Sequence, residues 1–62
     1  MKNGIYKSDN AVYFIYNEKI LMLLKGSIYK TNKNFMQGTF EKELTQDMMK
    51  DFDETYEKVQ SW

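Results

Sequence analysis

The chain has 62 residues, nine lysines and nine carboxylates for a net charge of zero, and no histidine, cysteine, arginine or proline. Without histidine no unperturbed side chain titrates between about pH 5 and 8, without cysteine there is no thiolate nucleophile or soft metal ligand, and without arginine there is no planar fork for phosphate or guanine. So short a chain is one domain, 1–62, with no disulfide or zinc staple, and it must rely on a packed core or a second chain.

The first residues, Met1-Lys2-Asn3-Gly4, are polar and turn-forming, without the apolar stretch of a signal peptide. The longest apolar run, residues 20–24, is far shorter than the roughly 20 residues that span a bilayer. Together with zero net charge this predicts a cytoplasmic protein with no membrane attachment. A first strand is expected over residues 3–7, followed by the turn Ser8-Asp9-Asn10. Residues 11–16 are almost all β-branched or aromatic, the composition of a strand, and Asn17-Glu18 forms the next turn. A third strand follows over 19–24, then the turn Lys25-Gly26, a fourth strand over 27–31 and the turn Asn32-Lys33-Asn34. A fifth strand is expected to start at Phe35 and run towards Phe40, or as far as Leu44. Turns about every 8 residues predict an antiparallel meander of four to five strands.

A C-terminal helix is expected over about 45–61. Leu44, Met48, Met49, Phe52, Tyr56, Val59 and Trp62 fall within an arc of roughly 140° at helical spacing, which makes an amphipathic helix with one face on the core. Thr45 is the expected N-cap, with Thr39 as a competitor, and Asp47 and Lys58 sit at the ends that suit the helix dipole. Met48 is expected in the core, and Met49 stands at the edge of the arc. The fold class predicted is therefore α+β, a meander with one helix packed on one face of the sheet.

Both faces of the central strands are apolar. Ala11, Tyr13 and Ile15 alternate with Val12, Phe14 and Tyr16, and Ile20, Met22 and Leu24 alternate with Leu21 and Leu23. A sheet solvated on one side alternates apolar with polar, so either the sheet curls over its second face or that face meets another protein. Tyr13, Ile15 and Tyr16 are the sheet residues expected to touch a partner.

The charges are split along the chain, with a balance of +4 over residues 1–40 and −4 over residues 41–62. Asp47, Asp51 and Glu54 form a row on the polar side of the helix, with Asp53 and Glu57 beside it. Like charges at that spacing cost a few tenths of a kcal/mol each, so the row suits a second purpose: an anionic strip that meets a basic partner. A solvated polar face is the plainer explanation. Catalysis by these carboxylates is not expected, because nothing on a solvent face would shift a pKa into working range, and a calcium loop would need a glycine and a geometry absent here. Ser8, Ser27 and Ser61 have no base beside them, and the three glycines are too far apart to cradle phosphate. No enzyme activity, cofactor or metal is expected.

The function these features predict is a small, non-enzymatic protein-binding module. Small size and an AT-rich-looking composition suit a phage- or mobile-element-encoded inhibitor that occupies a surface of a larger host enzyme or defence complex. Two other classes remain open: a single-stranded nucleic-acid binder using Tyr6, Tyr13, Tyr16 and Tyr29 with Lys7, Lys19 and Lys30, and a subunit that homo-oligomerises, for instance as a homodimer. Nucleic acid is not the expected main ligand, since net charge is zero and arginine is absent.

Overall fold

Tight turns dictate the architecture. In the computed structural model, whose description covers residues 1–61, strands β1 (Gly4–Lys7), β2 (Ala11–Tyr16), β3 (Lys19–Leu24) and β4 (Ser27–Thr31) follow one another as a meander. Strand β5 (Thr39–Lys42) returns to pair with β1, giving one antiparallel sheet in the order β4-β3-β2-β1-β5, and the helix α1 (Gln46–Lys58) follows it. The fold is α+β, as the alternation of strand and helix periods predicts.

The β2–β3 and β3–β4 connections are two-residue loops with positive φ at both positions: Asn17 (51°) and Glu18 (66°), then Lys25 (51°) and Gly26 (82°). Such turns match the right-handed twist of paired strands. Glu18 lacks the glycine that this conformation favours, and the loop is tied down instead. The Met1 amine lies 2.9 Å from the Glu18 carboxylate, and the Asn17 N–H donates to Asn3 Oδ1 at 3.0 Å. At the β1–β2 turn Ser8 Oγ accepts from the Ala11 N–H at 3.1 Å, while the Ser8 N–H donates to the Ala11 carbonyl at 2.9 Å.

The register places Ala11, Tyr13 and Ile15 opposite Leu24, Met22 and Ile20, on one face of the sheet. This face is the main core: Ile15 is fully buried, Tyr13 is 5% exposed, and Tyr6, Leu24, Tyr29 and Met36 pack against the cluster. No helix covers it. The segment 32–38 crosses it on its way from β4 to β5, carrying Met36 onto the core and bringing Gly38 so close that a Cβ there would lie 3.0 Å from the Tyr13 ring and 3.1 Å from the backbone nitrogen of Lys7. The β1–β5 register slips between Ile5 and Tyr6, and such a bulge bends and twists a strand. Phe40 then meets Tyr6 edge-on, with ring centroids 5.4 Å apart, above Gly4, where any Cβ would strike the Phe40 ring.

The bare second face expected from the apolar alternation is thus closed within the chain, by curl and by a crossing loop. The expected fifth strand is also corrected: it begins at Thr39, and 35–38 belongs to the crossing segment. Asn32 initiates that segment, its carbonyl accepting from the Phe35 N–H at 3.0 Å and its Oδ1 from the Asn34 N–H at 2.9 Å. Tyr6 from β1 and Tyr29 from β4, at opposite sides of β2 and β3 in the sheet order, both pack on the cluster that Met36 covers, as a curled sheet allows.

Helix α1 lies on the other face. Thr45 is its N-cap, accepting from the Met48 N–H at 3.1 Å, whereas Thr39 sits in β5. The helix ends at Lys58, short of the expected 61; Val59 is extended, and the chain then runs beside β4, where the Lys30 N–H donates to the Gln60 carbonyl at 2.9 Å. The place of Trp62 on the expected apolar arc lies outside the described residues. No helix among the described residues is long and apolar enough to cross a membrane.

Candidate functional site

An α-helix with its side chains is about 10 Å across and strands are about 4.8 Å apart, so one helix covers only about two strands of a five-stranded sheet. On the α1 face Ile5 and Leu21 are buried, but Val12, Phe14, Tyr16 and Leu23 are only half-buried and Ile28 is 38% exposed. The uncovered part is a groove of about 160 Å³ beside the helix. Phe14, Leu21 and Ile28 supply the sheet side, Leu44 one end, and Met48, Phe52 and Thr55 the helix side. Among the described residues Asp51 is its one charged lining residue.

Phe52 is the anchor of α1. It is 4% exposed, meets the Tyr16 ring edge-on with centroids 5.6 Å apart and stacks on Tyr56 at 5.8 Å. Met48, expected in the core, is corrected: at 36% exposed it stands at the groove mouth. The physical reason is the uncovered side of the sheet, where Ile28 is itself 38% exposed and Met48 has only one flank to pack on. At the far end of the helix the Lys30 and Lys19 ammonium groups lie 4.7 and 5.4 Å from the centre of the Tyr56 ring.

The carboxylates of α1, Asp47, Asp51, Asp53, Glu54 and Glu57, are all exposed. They do not act alike. Asp53 accepts from Lys19 Nζ at 3.3 Å and Glu54 from Lys58 Nζ at 3.1 Å, so these two are spent on exposed ion pairs. Among the described residues Asp47 and Asp51 have no ion pair. Among the described residues no three acidic side chains are grouped so as to hold a metal ion.

Of the sheet residues expected to touch a partner, Tyr13 and Ile15 are core and present no surface, and Tyr16 is half-buried against Phe52. Apolar surface is left on the helix side, at Ile28, Met48 and the half-buried Phe14 and Leu44, and also at Phe35 and Phe40, which are 56% and 40% exposed. Sequence reasoning passed over Ile28 and read Leu44 only as part of the core-facing arc of the helix. The available signal was the width mismatch between one helix and five strands. Comparison of the chain with protein-family models, with curated proteins and with solved structures gives no match.

Proposed function

We propose that this chain is a non-enzymatic protein-binding module that acts by occupying a surface of a larger partner, as an inhibitor of an enzyme or defence complex would. The observation that supports this most is the junction at Asp51 of two unsatisfied surfaces: an apolar groove left open by the helix and the unpaired end of an acidic row. Interfaces combine an apolar, water-excluding centre with a polar rim that sets orientation, and this surface has both parts. Its small size and AT-rich-looking composition suit a product of a phage or mobile element.

Affinity purification from the native host, run in parallel with the parent chain and a Met48→Lys/Asp51→Lys variant, tests the reading. The expected result is a protein that co-elutes with the parent and is lost with the variant, while circular dichroism shows both folded. A partner retained equally by both would move the function to another surface, and recovery of nucleic acid alone would replace the reading with the single-strand-binding one.

A further inference from the structure

The geometry points to a basic, amphipathic segment of a partner protein as the occupant of the groove, one apolar side chain entering between Ile28 and Met48 while a lysine or arginine beside it meets Asp51 and Asp47; this rests on the protein-binding reading above. The groove is sized for a single side chain. An apolar cavity of about 150 Å³ accepts a benzene-sized group, and this one is about 160 Å³ and open on one side. Among the described residues its lining offers an incoming group no cation, only the Asp51 carboxylate. One turn earlier Asp47 extends the same negative edge, and neither carboxylate has an ion pair among the described residues. An apolar residue with a cation within a turn of it satisfies both features, whereas an acidic segment would set like charges against the rim.

A second copy of this chain fits less well. A two-fold interface brings each patch onto itself, so a dimer centred on Asp51 would set like carboxylates against each other near the axis. A basic helix laid beside α1 has no such conflict. It would bury the exposed edges of Ile28 and Met48 together with the half-buried Phe14 and Leu44.

The test is an NMR titration of the full chain with three peptides of equal length: a helical lysine/leucine peptide with its leucines on one face, its glutamate/leucine counterpart, and oligolysine. The lysine/leucine peptide is expected to shift the methyl signals of Ile28, Leu44 and Met48 saturably, and to bind about tenfold or more tightly than either control. Asp51→Lys should reverse the preference towards the glutamate/leucine peptide. Met48→Lys, at an exposed position that leaves the fold intact, should weaken binding of the lysine/leucine peptide by a similar factor. Equal binding of oligolysine would mean charge alone and would overturn the proposal, as would absence of any methyl shift. Shifts confined to 39–42 or to Lys19, Lys30 and Tyr56 would overturn the groove assignment yet leave a protein-binding role standing. Concentration-dependent shifts of the same methyls without peptide, with a doubled mass in light scattering, would give the groove to a second copy and overturn the partner chemistry.

Discussion

Phe52 and Met48 stand one turn apart on the same side of α1, and their exposure differs by almost an order of magnitude, 4% against 36%. Truncating Phe52 to Ala removes the ring wedged between Tyr16 and Tyr56 and should cost about 3–5 kcal/mol, enough to unfold a domain of this size. Met48→Ala should cost less, about 1 kcal/mol, because over a third of the residue is already in water. Chemical denaturation of the two variants checks the pair, and equal losses would place Met48 in the core after all. Glu18 carries a different residue-scale consequence. The hydrogen bond from the Met1 amine, with the positive charge of that amine, holds its carboxyl below the usual carboxylate range, and Lys33 adds to the effect. A carboxyl lowered on folding contributes stability above its unfolded pKa, and that contribution is lost as pH falls through the folded value. A carbon-detected NMR titration should therefore show Glu18 titrating below its value in the unfolded chain, and acetylation of the amine should remove most of the difference. No such difference in the folded protein would mean that the 2.9 Å contact does not persist in solution.

At the scale of the element, α1 is held at one end by its cap and along one stripe by the sheet. Thr45→Ala leaves the Met48 N–H without its acceptor and should cost about 1 kcal/mol, readable as a lowered melting temperature. A loss of similar size from Thr39→Ala would assign the cap to the wrong threonine. Replacing Asp47, Asp51 and Glu54 by Asn, Asn and Gln should leave the fold intact, since relief of like-charge repulsion offsets the loss of the Glu54–Lys58 pair, each worth a few tenths of a kcal/mol. The same variant should associate more slowly with the partner at low salt, and stopped-flow rates equal to the parent's would reduce the row to a solvated face. The helix, its cap and the four meander strands were legible because each rests on a local signal: helical spacing, a threonine before it, two-residue turns between β-branched runs. Strand β5 was misplaced because Phe35 and Met36 look like strand residues, while their conformation is decided by the Asn32 turn and by the distance the chain must cover. The burial of Tyr13 and Ile15 likewise depends on curl, a property of five strands together that no window of sequence displays.

For the molecule as a whole, the sequence-level charge dipole becomes a sheet lobe and a helix lobe stitched together at Lys19–Asp53. This arrangement bears directly on the nucleic-acid reading. A single-strand binder needs exposed aromatic faces in line with unpaired cations. Here Tyr13 is buried, Tyr16 lies against Phe52, Lys19 is paired with Asp53 while lying over Tyr56, and Lys30 also lies over Tyr56. These tyrosines and lysines therefore offer no row of faces for stacked bases, and the acidic face of α1 would repel a strand led around the molecule. Binding to single-stranded DNA or RNA should be weak and should vanish between about 50 and 200 mM salt, the behaviour of a few phosphate contacts. Fluorescence anisotropy against labelled oligonucleotides at several salt concentrations measures this. Sub-micromolar binding at about 150 mM salt would require an aromatic platform other than Tyr13 and Tyr16, and would put nucleic acid ahead of protein as the ligand.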